Sequence, residues 1–183
     1  ETVARCAAGV IHAEYRALAP LLRSLAPKRI ADIGCGYAFF DLFAARELGA
    51  EVLLIDLESN ERRHFGCQKE GAAYSSLSVA RALLQANGVA EAAIQTLNPR
   101  VEAADDAEPV DLAISFLSCG FHYPVSTYAT FFRDAVTPDG TVILDLRAAS
   151  ADQQAETLTP LGVLQDLPSP QKARRILLRK GTA

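Results

Sequence analysis

Apolar positions along this chain follow two alternating rhythms. From 2 to 25 they recur at helical spacing (Val3, Cys6, Val10, Ile11, Tyr15, Leu18, Leu21, Leu22, Leu25). That predicts a leading helix, kinked or divided at Pro20 and stopped by Pro27. The rhythm then tightens to a short run, Arg29-Ile30-Ala31-Asp32-Ile33, which breaks at Gly34 and Gly36. An amphipathic helical segment follows from Asp41 to Leu48 and closes on Gly49. Residues 51–58 form a continuous apolar run ending in acids, the pattern of a parallel strand buried on both faces. Strand, glycine turn, helix and strand make a βαβ unit, whose crossover is right-handed.

Further along, 93–97, 110–117 and 141–147 read as strands, the last entered through a turn at Thr137-Pro138-Asp139-Gly140. Helices are expected over 77–86, closed by Asn87-Gly88, and over 127–135. Runs at 162–167 and 173–180, joined by Pro168-Ser169-Pro170, predict an antiparallel strand pair after a C-terminal helix. The segment 59–74 shows no periodicity and is far longer than the usual βα connection of about 2–6 residues, which makes it a candidate lid. Within it Arg62, Arg63 and His64 read as a solvated charge run, whereas Tyr74 and Ser76 stand where the next helix opens toward the glycine turn.

Composition narrows the class. The 183 residues are 50% apolar and 22% charged, as expected of one globular domain with a sizeable core. The net charge of −4 argues against a nucleic-acid backbone as partner. Cys6, Cys35, Cys67 and Cys119 are scattered with no CxxC pair, the pattern of free thiols in a reducing, cytoplasmic compartment. No apolar run is long enough to span a membrane, and no His, Cys and Asp cluster has metal-ligand spacing. The chain lacks methionine, so Glu1 is expected to follow further N-terminal residues. Nothing in the pattern specifies an oligomeric state.

The chemistry concentrates at the glycine turn. A strand end, two glycines and a helix N-terminus bring backbone amides together where a ligand can approach the main chain without meeting a Cβ. Asp56 follows Gly36 by the roughly 20 residues at which an acid meets ribose hydroxyls in nucleoside-binding sheets. A nicotinamide fingerprint wants a third glycine where Phe39 stands, so that alternative is the weaker one.

Together these motifs resemble the class I S-adenosylmethionine-dependent methyltransferases. Asp32-Ile33-Gly34-Cys35-Gly36 is similar to the family's acid-x-Gly-x-Gly-x-Gly motif, with Ala38 in place of the last glycine, and Pro138-Asp139-Gly140 resembles its Pro-Gly-Gly turn. Gly66 to Leu77, Ala86-Asn87-Gly88-Val89 and Ser118-Cys119-Gly120-Phe121-His122-Tyr123-Pro124 look like bacterial sugar O-methyltransferase-like proteins, in which a tryptophan stands where this chain has Cys119. The resemblance implies a Rossmann-like, doubly wound, mostly parallel sheet of seven strands in the order 3-2-1-4-5-7-6. It divides 1–183 into a helical cover (1–27), a donor-binding core (28–147) and a C-terminal helix with the antiparallel pair (148–183). It also implies S-adenosylmethionine as methyl donor, S-adenosylhomocysteine as product and a small-molecule acceptor, such as a sugar hydroxyl.

By the same resemblance the donor contacts fall on Asp32, Gly34, Cys35, Gly36, Tyr37, Asp56, Leu57, Asn98, Phe116 and Leu117. Asp32 would face the donor's amino group and Asp56 its ribose, with Asn98 near the adenine. Asp32 has an alternative as a strand-end acid that bonds local amides. His122 follows the fourth strand, where the family presents acceptors. It reads either as a general base, with Tyr123 positioning the acceptor, or as a turn histidine bonded to backbone. Cys119 is expected to reshape the acceptor pocket. The departures at Ala38 and Cys119 keep open a non-catalytic nucleoside-binding module of the same fold.

Overall fold

The computed structural model describes residues 2–57 and 76–181. The element order is α1 (Thr2–Leu25), β1 (Arg29–Ile33), α2 (Phe39–Leu48), β2 (Glu51–Ile55), α3 (Leu77–Ala86), β3 (Ile94–Leu97), β4 (Val110–Ser115), α4 (Ala129–Asp134), β5 (Val136–Arg147), α5 (Ala151–Leu158), β6 (Gly162–Leu167) and β7 (Ala173–Lys180), with single 3₁₀ turns between them. The strands form one sheet in the order β3-β2-β1-β4-β5-β7-β6. β1 to β5 are parallel, while β7 runs antiparallel to both β5 and β6. The expected fold and strand order are what the chain adopts.

Alternation along each central strand divides the core between the two faces. Ile30, Leu112, Ile114, Ile143 and Leu177 point to the face covered by α1 and α2. Their neighbours Ala31, Ala113, Val142, Leu144 and Leu178 point to the face covered by α4 and α5. On strands buried on both sides, period-2 alternation decides the face and not exposure, which is why the sequence reads as unbroken apolar runs. Three buried charged side chains, Asp32, Asp145 and Arg175, share the register of the α1–α2 face.

Several boundaries move. α1 continues through Pro20, without the division the sequence suggested. Pro20 stands on the exposed side, so the carbonyl one turn back that loses its bond can be hydrated, while Tyr15, Leu18, Ala19 and Leu22 pack inward. β2 ends at Ile55 and β4 at Ser115, each earlier than the apolar run implied, leaving Leu57 and Leu117 exposed beyond the sheet edge. The predicted helix over 127–135 opens as a 3₁₀ turn, Val125–Tyr128, before α4. The expected turn at 137–140 lies inside β5: the pairing jumps from Val110↔Val136 to Leu112↔Thr141, so Pro138-Asp139-Gly140 bulges out of the ladder. Asp139 there is left-handed (φ 64). No helix of the described residues is long and apolar enough to cross a membrane.

Candidate functional site

The site is assembled where β1, β2 and β4 end. Gly34, Gly36 and Ala38 all take the left-handed conformation (φ 84, 56 and 58). Each winds the chain tightly from the end of β1 into α2, with Ala38 as the residue before the helix. An alanine in this region costs about 1 kcal/mol relative to glycine, and here its methyl is fully buried against the α2–α3 cluster.

The two glycines serve different purposes. A Cβ on Gly34 would fall 2.5 Å from Ser118 Cβ and closer still to its Oγ, so this glycine makes room for the turn after β4. A Cβ on Gly36 would meet nothing within 4 Å among the described residues, and that position is open with respect to them. The room expected for a ligand at both glycines is therefore taken by Ser118 at the first and left open at the second.

Asp56, just past β2, closes this turn from the other side. Its Oδ2 accepts the Gly36 amide at 3.0 Å and its Oδ1 the Leu57 amide at 2.7 Å. The Gly34 amide donates to the Ile55 carbonyl at 2.7 Å, and the Asp56 amide donates to the Leu97 carbonyl at 3.2 Å. Asp56 thus has local partners for both oxygens and keeps a lone pair on each for a ligand.

Asp32 behaves differently. Its side chain is buried and faces Asp41 in the first turn of α2, a residue that nothing in the sequence pattern singled out. Asp41 is 0% exposed, and neither of its oxygens has a partner outside this pair among the described residues. Burial, then the neighbouring carboxyls, hold Asp32 well above the ordinary carboxylate range, and burial raises Asp41 to about 6. Two carboxyls so placed share one proton. Burial and the same acids push the Cys35 thiol up, so Cys35 is a protonated, half-buried wall.

Tyr37, Leu57 and Leu117 are 37%, 43% and 43% exposed, and they stand beyond the ends of β1, β2 and β4. Leu117 is itself left-handed (φ 54). Asn98 caps its own turn, its Oδ1 accepting the Arg100 amide at 3.0 Å and its carbonyl accepting from Val101 and Glu102. Phe116 turns away from these residues: its ring lies 4.7 Å from Phe40 and 4.7 Å below the Arg175 guanidinium, which makes it a packing residue on the α1 face. Of the predicted donor contacts, Asp32, Gly34, Cys35, Gly36, Tyr37, Asp56, Leu57 and Leu117 converge at one edge, while the Phe116 ring does not.

Next to this edge lies the turn 118–124. Ser115 Oγ donates to the Ile33 carbonyl at 2.6 Å and accepts the Cys119 amide at 2.9 Å, locking the turn's start to β1. The Gly120 amide donates to the Tyr123 carbonyl, and the His122 amide donates to the Ser118 carbonyl. The Tyr123 hydroxyl meets Ser118 Oγ at 3.1 Å, linking this turn to the glycine turn. Cys119, expected to reshape a pocket, is instead fully buried in the core on the α4–α5 side, its thiol pushed up to about 12 by burial. His122 and Tyr123 both line a cavity of about 360 Å³ bounded by β5 and α5. Burial, then the nearby Arg147 charge, lowers the His122 pKa below its ordinary value, so the ring is neutral at pH 7. The lid candidate at 59–74, with Arg62, Arg63, His64 and Tyr74, lies outside the described residues. Ser76 caps α3 by accepting the Val79 amide.

No protein-family model and no curated protein matches the sequence. Solved structures do. An O-methyltransferase family protein from Burkholderia thailandensis is 11% identical, with TM-score 0.60 over 94% of this chain and 59% of that one. The O-methyltransferase TomG from Streptomyces achromogenes, in complex with SAM, is 15% identical, with TM-score 0.62 over 93% of this chain and 80% of that one. A ribosomal protein L11 methylase from Lactobacillus delbrueckii subsp. bulgaricus is 18% identical, with TM-score 0.60 over 83% and 69%. The chain thus spans about three-fifths of the length of the Burkholderia protein. Strand order, antiparallel β7 and these likenesses agree: the chain has the fold of the class I S-adenosylmethionine-dependent methyltransferases.

Proposed function

We propose that this protein transfers a methyl group from S-adenosylmethionine to an oxygen of a small acceptor, a sugar or a related metabolite. The observation that carries the reading is the junction of Asp56 with the glycine turn. A carboxylate is anchored on the Gly36 amide at 3.0 Å beside an open Gly36 position. The exposed side chains of Tyr37, Leu57 and Leu117 stand beyond the ends of β1, β2 and β4 at the same edge of the sheet. A nucleoside needs those elements: a fixed acceptor pair for two ribose hydroxyls and apolar surfaces for a purine. The neighbour TomG, which is in complex with SAM, supports the choice of donor.

The donor supplies a methyl on a sulfonium already activated for attack, so the protein's task is alignment. Asp56 would bind the ribose, Asp32 the donor's ammonium and the Gly34–Gly36 backbone its methionine end. Tyr123, fixed by Ser118, would orient the acceptor from the cavity side. Neutral His122 would accept the hydroxyl proton as the C–O bond forms.

The antiparallel β7 separates this sheet from the dinucleotide-binding order, which disfavours a nicotinamide reaction. The departures at Ala38 and Cys119 do not dismantle the site: Ala38 holds the left-handed angle that glycine would, and Cys119 lies in the core. Incubation with methyl-tritiated S-adenosylmethionine and a panel of hydroxylated sugars tests the activity. Label on an acceptor is the expected result. A protein that binds the donor and transfers to none of hydroxyl, amine or carbon acceptors would be the non-catalytic module.

A further inference from the structure

The cavity beside His122 has a polarity unlike the protein as a whole. The chain carries a net charge of −4, yet no aspartate or glutamate lines this cavity among the described residues. Besides Tyr123 and Gln154, its polar lining includes His122, Ser126, Arg147, Ser150, Gln153 and Thr157. At about 360 Å³ it suits a small metabolite.

Arg147, at the last position of β5, is held in place along one edge only. Its guanidinium lies over the Phe121 ring with Cζ 4.5 Å from the centroid. Its Nε donates to the Phe121 carbonyl at 2.7 Å, and its backbone amide donates to the Gly120 carbonyl at 2.9 Å. Gln154 braces the same turn, its Nε2 donating to that Gly120 carbonyl at 2.7 Å. Neither Nη of Arg147 has a hydrogen-bond or ion-pair partner among the described residues, and no carboxylate neutralises the group. Arg147 is exposed; stacked on Phe121 and held at Nε, its guanidinium keeps an unused pair of donors, the pair that captures a planar or tetrahedral oxyanion in bidentate fashion. By contrast Arg174 and Arg175 each meet aspartates with their forks.

We propose that this cavity takes an acceptor bearing a carboxylate or phosphate group, held by the free Nη edge of Arg147, with the serine, threonine and glutamine side chains on its hydroxyls. The assignment rests on the reading of this cavity as the acceptor site, and it narrows the substrate class to acidic or phosphorylated polyols. The anion would sit at the β5–α5 wall, leaving a hydroxyl to face His122 and Tyr123.

Calorimetric titration of the donor-free protein with D-glucuronate, D-glucose 6-phosphate and D-glucose tests it. At least one anionic probe should bind at least tenfold more tightly than glucose, and the stronger of the two identifies which oxyanion the site prefers. Raising NaCl from 50 to 300 mM should weaken that probe severalfold and leave glucose unchanged, a readout that needs no variant. Arg147→Gln should bring the anionic probe to the level of glucose, with Arg147→Lys between. Both variants should keep S-adenosylmethionine affinity and the urea midpoint of the parent. Equal affinity for glucose and both anions, no binding of either anion at millimolar concentration, or an unchanged preference in Arg147→Gln would each overturn the assignment. An anion preference in a protein that binds no S-adenosylmethionine would overturn the methyl-transfer reading and leave the anion site standing.

Discussion

Gly34 and Ser118 lie far apart in sequence, yet the Ser118 side chain fills the space that a Cβ on Gly34 would need, at 2.5 Å from Ser118 Cβ. The same serine bonds the Tyr123 hydroxyl at 3.1 Å. One small side chain thus sets the spacing between the glycine turn and the 118–124 turn, and under the proposed function it would register the donor on one side against the acceptor on the other.

Gly34→Ala is predicted to cost about 2–4 kcal/mol, since it combines backbone strain at φ 84 with a collision against a packed turn. Gly36→Ala, with open space at its Cβ, should cost only about 1 kcal/mol in stability while filling the donor crevice. Urea denaturation of the two variants checks the asymmetry. Equal losses would contradict the separate roles of the two glycines.

The Asp32–Asp41 pair makes folding depend on pH in a definite direction. Burial raises both folded-state values above the unfolded carboxylate, so the native state binds protons more tightly than the unfolded chain. Asp41's share of this contribution is present below the unfolded value near 3.8 and is lost as pH rises through about 6, while Asp32's is lost only at higher pH, above its own more strongly raised value. Asp41→Asn, whose amide can donate to Asp32, should therefore stabilise the protein by about 1–3 kcal/mol at pH 8 and much less at pH 4.5. Urea midpoints at the two pH values measure this. A variant less stable than the parent at pH 8 would show that the charge on this pair is compensated in the folded protein.

His122 should leave its trace on turnover. Its pKa lies below 6.5 through burial and the Arg147 charge, so the ring is already neutral at pH 7. With a hydroxyl acceptor, kcat/KM should be flat above pH 7 and fall as His122 protonates below its lowered pKa. His122→Asn should lower kcat by about 10²-fold and remove that acidic limb with donor affinity intact. A wild-type-like rate would return His122 to its role as a turn residue, bonded through its amide to Ser118.

Most of the fold was legible in the sequence for a physical reason. Ile30–Ile33, Val52–Ile55 and Val110–Ile114 are buried on both faces, so they stand out as apolar runs between turn signals, and their order permits little besides a doubly wound sheet. The placement of Asp56 opposite the glycine turn was also legible, because a βαβ unit fixes the offset between the two residues, though its bond to the Gly36 amide was not. Contacts across the chain were not. Nothing local in Ser118 announces that it fills the space beside Gly34, and nothing in Asp41 separates a buried carboxyl from the acid common in a first helical turn. Arg147 was not singled out beyond closing the strand read over 141–147, since only the return of α5 makes it a cavity wall.

Donor binding is tested most directly by calorimetric titration of the protein and of Asp56→Ala with S-adenosylmethionine and S-adenosylhomocysteine. The parent should bind both at micromolar concentration and the variant at least tenfold more weakly, because in the proposed site the Asp56 oxygens anchored by Gly36 and Leu57 would also take the ribose. No binding by the parent, or equal binding by Asp56→Ala, would contradict the assignment of this edge as the methyl-donor site.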